Sequence, residues 1–350
     1  MTGTLLPGID ARTVRTPRYT ANVLERPAEG EPTRTVLLVH GNVSSSLFWQ
    51  PLMLSLPPGV RAVAVDLRGF GDSETLPVDA TRGVRDFSDD VAAVADELGL
   101  GPVHIVGWSL GGGVVMQLLL DRPDLVASLT LVSTVSPYGF GGTAADGSLL
   151  NADASGTGGG GANPDFVARL AAGDTGEESP TSPRAVYRSS YVAPGFVSEY
   201  EDLWVESMLS TATGPDNYPG DAGPSEHWPG FAPGTRGVLN TLAPTHFDTT
   251  GIVDAPAKPP ILWIHGAVDA IVGDASFFDL NQLGAAGVIP GWPGEETAPP
   301  QPMLAQTRAV LDRYAAAGGT TREVVFDDCG HSPHIEKPDE FRAELLAWIS

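Results

Sequence analysis

Apolar and polar positions follow two different patterns along the first third of the chain. Residues 35–40 and 61–65 are almost continuously aliphatic, which is typical of strands buried on both faces of a parallel sheet. Residues 18–25 alternate between apolar and polar, as in a half-buried first strand. Residues 86–98 have the helical repeat of an amphipathic segment, which ends near Gly99. Strands that alternate with helices predict right-handed crossovers and a mostly parallel sheet.

The same pattern returns after a long interruption and continues to the end of the chain. Residues 303–317 predict a helix that ends at two glycines, and a closing helix begins at Pro338, a residue suited to a first turn. Two more strands are predicted before the interruption, at 103–106 and 128–133, and two after it, at 260–265 and 321–326. The fold class is therefore α/β, with residues 1–138 and 251–350 forming one core domain.

The interruption covers residues 139–250, which we interpret as a largely helical cap or lid inserted into the core domain. Its first part, 139–162, is a low-complexity Gly, Ala, Ser, Asp and Asn stretch that predicts a long mobile loop. Helices are expected at 164–172, 183–192, 198–211 and 235–242. We expect this cap to cover the functional site and to set substrate choice, while the sheet domain carries the chemistry alone.

Composition and charge narrow the function classes. Of 350 residues, 42% are hydrophobic, so a sizeable core can be buried. The net charge of −23, from 20 basic and 43 acidic residues, repels phosphate backbones and argues against nucleic-acid binding. The chain has no run of about 18 apolar residues, so no membrane span is expected. A single cysteine, Cys329, and an N-terminus without a signal-peptide core predict a cytoplasmic protein.

The most informative stretch is Gly107-Trp108-Ser109-Leu110-Gly111, which lies between a predicted strand and a helix-compatible apolar run. In that context Gly-x-Ser-x-Gly places the serine at the apex of a strained turn. Glycines on both sides allow the backbone to pass close to itself. The amides that open the following helix carry partial positive charge and favour an oxyanion beside Ser109.

A serine hydroxyl needs a base within hydrogen-bond reach, and that base needs a carboxylate to orient it. Ser109, Asp269 and His331 each follow a predicted strand, and the ends of parallel strands meet at one edge of a sheet. Asp254 or Asp274 could replace Asp269 as the acid.

Other histidines and the cysteine have simpler explanations. His334 could replace His331 as the base. The two histidines could also suggest a metal site, but no third ligand at a suitable spacing accompanies them, so no metal is expected. His104 and His265 are expected to be packed or hydrogen-bonded, and Cys329 to be a small buried hydrophobe. Dinucleotide and P-loop glycine motifs are absent from the sequence, and we expect no cofactor.

Taken together, these motifs resemble those of the α/β-hydrolase superfamily. The segments that carry the resemblance are His40-Gly41, Asp66-x-Arg68-Gly69-x-Gly71-x-Ser73, Gly107–Gly112, His265-Gly266-x-x-Asp269 and Gly330-His331-x-Pro333. The resemblance implies that Ser109 is the nucleophile, His331 the general base and then acid, and Asp269 the orienting carboxylate. It also implies an oxyanion hole from the backbone N–H groups of Asn42 and Leu110, with His40 supporting that loop.

The resemblance argues against some of the reactions that the superfamily performs and leaves others possible. Haloalkane dehalogenases and epoxide hydrolases use an aspartate nucleophile, so Ser109 argues against both. Some relatives place the acid one strand earlier, but residues 133–136 contain no carboxylate. We expect hydrolysis of a small-molecule carboxylic ester or lactone through an acyl-enzyme. The alternatives are cleavage of a carbon–carbon bond next to a ketone, cofactor-free perhydrolase or haloperoxidase chemistry, and a non-catalytic binding protein.

The aromatic residues of the 139–250 segment are candidates for an apolar acyl or alcohol pocket. The substrate-binding residues that we single out are Trp204 and Trp228, together with Trp108 from the core domain.

Overall fold

The structure is a computed structural model that describes residues 4–350. Within these residues the chain forms twelve strands, some of only two or three residues. They are β1 Asp10–Arg15, β2 Thr20–Arg26, β3 Arg34–Val39, β4 Val60–Val65, β5 Val103–Trp108, β6 Val126–Val132, β7 Thr213–Gly214, β8 Tyr218–Pro219, β9 Ala222–Pro224, β10 Phe231–Pro233, β11 Ile261–Gly266 and β12 Thr321–Phe326.

Eight of the strands form one sheet, in the order β1-β2-β4-β3-β5-β6-β11-β12. The pairs β1/β2 and β2/β4 are antiparallel, and the other neighbours run parallel. The central strands β3, β5, β6 and β11 are buried along most of their length, which explains their continuous apolar sequences. The predicted mostly parallel α/β sheet is confirmed. Sequence analysis missed β1, an edge strand whose residues are mostly exposed.

Helices flank this sheet and connect its strands. They are α1 Gln50–Ser55, α2 Arg85–Glu97, α3 Leu110–Asp121, α4 Pro164–Ala171, α5 Pro183–Val186, α6 Glu201–Leu209, α7 Leu280–Ala285, α8 Met303–Ala316, α9 Pro333–Glu336 and α10 Pro338–Trp348. The predicted core helices 86–98 and 303–317 match α2 and α8 to within one residue, and Pro338 opens α10. Between residues 4 and 350, no helix has the length and apolar character needed to cross a membrane.

The 139–250 segment is less helical than its sequence pattern predicts. Residues 183–192 divide into α5 and a π-helical turn, Tyr187–Tyr191, and residues 235–242 contain only a short 3-10 turn, Leu239–Leu242. The side chain of Asn240 explains the second departure. Its amide nitrogen donates to the carbonyls of Asp221 (2.8 Å) and Arg236 (2.6 Å), so side-chain bonds replace part of a regular helical ladder.

The glycine-rich residues 139–162 are mostly irregular, as expected, but they are tied into the rest of the molecule. The backbone N–H of Gly156 donates to the carbonyl of Phe231 (2.9 Å), and that of Gly159 donates to Oδ1 of Asn240 (2.9 Å). Thr157 and Gly159 are buried. Composition predicted the lack of regular structure here, whereas these two hydrogen bonds depend on residues 75 and 81 positions away in the sequence.

A buried ion pair joins the loop after β4 to α2. The guanidinium of Arg68 donates two bonds to the carboxylate of Asp90, from Nε at 2.6 Å and from Nη2 at 2.7 Å. Arg18 donates a third bond to Asp90 at 2.7 Å, and the Asp90 side chain has no exposed surface. This arrangement fixes the Arg68 turn, which is part of the Asp66–Ser73 motif.

We expect Asp90→Asn to lower the free energy of unfolding by about 3–5 kcal/mol, because it removes the carboxylate that accepts both short bonds from the buried Arg68 and leaves only Asp86, at 3.5 Å, to balance its charge. The neighbouring Asp89, which is 31% exposed and pairs with Arg82 at 2.6 Å, provides the matched control. Asp89→Asn should cost less than about 1 kcal/mol, as exposed ion pairs do. Urea unfolding of both variants measures the difference, and equal small losses would contradict this account of the Arg68–Asp90 pair.

Candidate active site

Ser109 is the single residue between the end of β5 and the start of α3, and its backbone is strained. Its φ of 57° and ψ of −117° lie where residues other than glycine are rare. Strain of this kind costs about 1–3 kcal/mol and persists only where the surroundings enforce it. A Cβ on Gly107 would lie 2.4 Å from the carbonyl oxygen of Gly111, and one on Gly111 would lie 2.5 Å from that of His40. Both glycines are therefore required for the turn that lifts Ser109.

His331 and Asp269 form a buried pair at the carboxyl edge of the sheet. Nδ1 of His331 lies 3.0 Å from Oδ1 and 2.9 Å from Oδ2 of Asp269, and the two side chains are 2% and 1% exposed. Oδ1 of Asp269 also accepts the backbone N–H groups of Ile271 (2.8 Å) and Val272 (2.9 Å). The carboxylate is thus fixed by its own loop and holds one nitrogen of the imidazole.

The structure separates Asp269 from the other candidate acids. Asp274 is exposed and accepts the backbone N–H groups of Leu304 (2.7 Å) and Ala305 (3.2 Å) at the start of α8. Asp254 ends a 3-10 turn, Thr250–Asp254, and has no hydrogen bond to His331.

The other histidines are structural. His104 lies 2.8 Å from the hydroxyl of Ser128, and His265 stacks on Trp263 and pairs with Glu323 at 2.8 Å. His334 is 1% exposed, and within residues 4–350 neither of its ring nitrogens has a hydrogen-bond partner.

Ser109 and His331 face one cavity of about 430 Å³. Within residues 4–350 no hydrogen bond joins the Ser109 hydroxyl to His331, although both residues line this space. Hydrogen bonds of this kind are often long without substrate and shorten in the complex. Asn42 and Leu110 line the same cavity, so all residues expected at an acyl-transfer site except the buried Asp269 border it.

The loop after β3 brings Asn42 next to the Ser109 turn. A neutral His40 supports it: Nε2 accepts the backbone N–H of Leu67 (3.0 Å), and Nδ1 lies 2.7 Å from the carbonyl of Gly41. Burial lowers the pKa of His40, which keeps the ring uncharged. The backbone N–H groups of Asn42 and Leu110 have no partner within residues 4–350, so both are free to bind an oxyanion.

Tyr191, from the 139–250 segment, reaches this loop. Its hydroxyl lies 2.9 Å from the carbonyl oxygen of Asn42 and 3.2 Å from that of Val43. Its ring centre is 6.1 Å from that of His331 and 5.9 Å from that of Trp108. We expected from the sequence that the sheet domain alone carries the chemistry. That expectation did not include a contact between the 139–250 segment and the Asn42 loop.

None of the three tryptophans singled out from the sequence lines the cavity. Trp108 is buried behind it and donates from Nε1 to the backbone carbonyl of His331 (2.8 Å). Trp204 is 1% exposed and packs on Phe48, with ring centres 4.8 Å apart. Trp228 donates to the carbonyl of Pro290 (3.1 Å). These tryptophans pack in the core or near the surface. Residue type alone does not distinguish such a position from one in a pocket wall.

The apolar walls come from two segments that are distant in sequence. Sequence analysis singled out none of the residues given next, because a periodic pattern, where one is present, predicts a buried face and does not show whether that face lines a cavity. Representative wall residues are Phe166, Tyr218 and Leu242 from the 139–250 segment, and Ile271, Phe277 and Leu283 from the segment after Asp269. Phe277 and Phe278 line the cavity although they are 61% and 43% exposed, and exposed apolar side chains next to one another are typical of a ligand-binding surface.

Comparison with known proteins identifies the fold. A family model described as alpha/beta hydrolase fold matches residues 34–158, which contain β3 through the Ser109 turn. The chain has the α/β-hydrolase fold. The α/β-hydrolase fold extends beyond the matched residues, because the sheet continues through β11 and β12 to Asp269 and His331.

Most of the similar sequences carry hydrolase or esterase names, and each matches only part of this chain. The protein named "Putative carbamate hydrolase RutD" from Variovorax paradoxus is 43% identical over 111 residues, which are 31% of this chain and 40% of that protein. Carboxylesterase YbfK from Bacillus subtilis is 31% identical over 104 residues, 30% of this chain and 35% of that protein. The chain thus spans well under half of these relatives.

Similarity to solved structures covers almost the whole chain. A bromoperoxidase from Bacillus anthracis superposes with a TM-score of 0.61 at 18% identity, over 97% of this chain and 99% of that one. The structure of the Bacillus subtilis carboxylesterase superposes with a TM-score of 0.57 at 17% identity, over 97% and 91% of the two chains. At these identities the similarity establishes the fold alone.

Within the described residues 4–350, no group of three or more His, Cys, Asp or Glu is arranged to hold a metal ion. Cys329, next to the His331 loop, is buried, and burial raises the pKa of its thiol. Its thiol is therefore held in the neutral form.

The unused histidine of the site makes stability depend on pH. Burial, and then the nearby His331, lower the pKa of His334 to about 3, so the folded protein takes up this proton only in strong acid. The unfolded chain takes it up at about pH 6.5. The free energy of unfolding should therefore fall by roughly 1.4 kcal/mol per pH unit from pH 6.5 towards pH 3 because of this residue alone.

His334→Phe should remove this contribution, because the ring stays between Trp49 and Trp108 and loses no hydrogen bond. The difference in unfolding free energy between variant and wild type, measured in urea at several pH values, should grow as the pH falls below 6.5. His40 contributes with the same sign in both proteins and cancels. A difference that does not vary with pH would contradict the assignment.

Proposed function

We propose that this protein is a serine hydrolase of carboxylic esters, with Ser109, His331 and Asp269 as its catalytic triad. The observation that carries the proposal is the His331–Asp269 pair at 2.9 Å, which opens onto the same cavity as the strained Ser109. A catalytic serine requires a base held in one tautomer by a carboxylate. Asp269 supplies that carboxylate, and its own hydrogen bonds are satisfied by two backbone N–H groups.

In the first half of the proposed reaction, the Ser109 hydroxyl attacks the ester carbonyl carbon as Nε2 of His331 takes its proton. The carbonyl oxygen becomes an oxyanion and accepts hydrogen bonds from the backbone N–H groups of Asn42 and Leu110. Each such donor contributes about 10²–10³ in rate in comparable sites. Collapse of the intermediate breaks the bond to the alkoxy oxygen, which takes the proton from His331 and leaves as an alcohol.

In the second half, a water molecule attacks the Ser109 ester and His331 takes one of its protons. The second tetrahedral intermediate uses the same two N–H groups. Its collapse releases the carboxylic acid as His331 returns the proton to Ser109 Oγ. Asp269 stays ionised throughout and stabilises the imidazolium formed in each half. No step requires a metal or a cofactor.

The cavity lining supports a neutral, largely apolar acyl or alcohol group. Aliphatic and aromatic side chains make up most of the wall, and no lysine or arginine belongs to the part of the lining that residues 4–350 provide. The one acidic residue there is Asp279, whose side chain accepts the backbone N–H groups of Asn281 (3.0 Å) and Gln301 (2.7 Å). Burial raises the pKa of Asp279, which disfavours its charged form. An anionic substrate would find no counter-ion among the lining residues, and it would meet a like charge wherever Asp279 is ionised.

The 139–250 segment is proposed to act as the cap of this site. It contributes wall residues such as Phe166 and Tyr218, and Tyr191 contacts both His331 and the oxyanion loop. These contacts support a role in substrate choice together with a role in positioning. The names of the relatives, a carboxylesterase and a carbamate hydrolase, are consistent with acyl transfer to water.

Ser109→Ala should lower ester turnover by at least about 10³-fold, since the nucleophile is lost while the fold is retained. The measurement is kcat/KM on p-nitrophenyl butyrate, with circular dichroism and urea unfolding as controls for folding. A small fluorophosphonate should add one label per chain in the wild type, on Ser109, and none in the variant. Retention of more than a few per cent of wild-type turnover would refute the nucleophile assignment.

The substrate-class proposal is tested with two esters of similar length, p-nitrophenyl butyrate and the mono-p-nitrophenyl ester of succinic acid. We expect the neutral ester to be favoured at least about tenfold in kcat/KM, the effect of a like-charge cost of about 1.4 kcal/mol. Asp279→Asn should reduce that preference, and Asp274→Asn, outside the cavity, should leave it unchanged. A wild-type preference for the succinate ester would show that the class is wrong.

A further inference from the structure

The carboxylate of Glu336, five residues after His331, is buried and bonded to backbone N–H groups on both sides of that histidine. It accepts from Gly330 at 3.0 and 2.9 Å and from Ser332 at 3.1 Å. Glu336 is 8% exposed, and no ion pair involves it within residues 4–350. Its negative charge is therefore stabilised by backbone dipoles, and charge-assisted bonds of this kind are short and strong.

The same carboxylate reaches across to the 139–250 segment. Oε2 accepts the backbone N–H of Ala193 at 2.6 Å, two residues after Tyr191. A Cβ on Gly330 would lie 2.6 Å from the nitrogen of Ala193, so only glycine allows these two segments of the chain to come this close. Three N–H groups from two distant segments thus converge on one side chain.

These contacts complete a ring of constraints around the His331 imidazole. Asp269 holds its Nδ1, Trp108 donates to its backbone carbonyl at 2.8 Å, and the Tyr191 ring lies against it. Glu336 fixes the backbone on both sides of His331. Through its bond to Ala193, it also fixes the segment that carries Tyr191. Removing the Glu336 acceptor would leave three buried N–H groups unsatisfied and release both segments together.

We infer that Glu336 is a positioning residue for His331 and couples the position of this base to the 139–250 segment. The inference rests on the proposed function, in which His331 accepts the Ser109 proton. Small displacements of a base reduce rate steeply, because proton transfer requires hydrogen-bond geometry. The side chain itself lies behind the histidine loop, touches no reacting atom and is absent from the cavity lining.

The test is Glu336→Gln, an isosteric change that puts an amide NH₂ opposite backbone N–H donors. The matched control is Glu74→Gln, which alters a glutamate that accepts the backbone N–H of Thr20 at 2.8 Å, outside the site. We expect kcat on p-nitrophenyl butyrate and the rate of fluorophosphonate labelling to fall together by about 10–100-fold in E336Q. KM should change less than about threefold, and E74Q should match the wild type in all three.

A merely structural role makes a different prediction. It would lower the unfolding free energy and the labelled fraction, while each folded molecule would keep the wild-type kcat and labelling rate. That result, measured well below the unfolding temperature and normalised to labelled sites, would overturn the inference. If E336Q does not fold, the same measurements are made on Glu336→Asp, whose carboxylate is too short to reach all three N–H groups. Wild-type kcat in that variant would equally overturn it.

The two proposals fail in different ways. If Ser109→Ala keeps its activity, the serine-hydrolase mechanism is wrong whatever Glu336 does. If Ser109→Ala is inactive and the folded Glu336 variant has wild-type kcat, only the positioning role is wrong.

Discussion

The backbone of Ser109 at the end of β5 is the constraint on which the arrangement of the site depends. With φ at 57°, the chain leaves the sheet abruptly, and α3 begins at the next residue. The turn requires glycine at 107 and 111, because a Cβ at either position would collide with backbone. The loop that carries Asn42 packs closely against this turn, because a Cβ on Gly41 would lie 3.0 Å from the Cβ of Ser109. The strain is offset by the surrounding sheet and helix, which bury the turn on both sides.

Carboxylates that accept backbone N–H bonds are used repeatedly to fix the loops at this edge of the sheet. Asp66 accepts from Ser46 (2.7 Å) and Asp72 (3.0 Å), and Asp269 accepts from the two residues that follow its own turn. Glu336 does the same for the residues on both sides of His331. Irregular loops have many unpaired N–H groups, and an ionised acceptor satisfies several of them at once. The acidic composition therefore contributes to the architecture of the site as well as to the surface charge.

The 139–250 segment contacts the sheet domain through a shared hydrophobic core and through individual hydrogen bonds. Its buried residues, such as Trp204 and Tyr187, belong to the same hydrophobic core as the strands. Tyr191 contacts the oxyanion loop, and Ala193 is bonded to Glu336. These shared buried contacts connect the His331 loop to the segment that forms part of the cavity wall.

Local sequence determined most of the sheet and the Ser109 turn, because these depend on short-range periodicity and glycine geometry. It also placed His331 and Asp269 at one edge of the sheet, where parallel strands end, but it left Asp254, Asp274 and His334 as alternatives that only the tertiary structure separated. It did not determine the cavity wall. Trp204 and Trp228 were as plausible as Phe166 or Tyr218 by residue type, and only packing decides which aromatic faces a space and which fills the core. The convergence of Gly330, Ser332 and Ala193 on Glu336 likewise joins residues more than 130 positions apart. Such contacts leave no periodic pattern in the sequence, so only the tertiary structure specifies them.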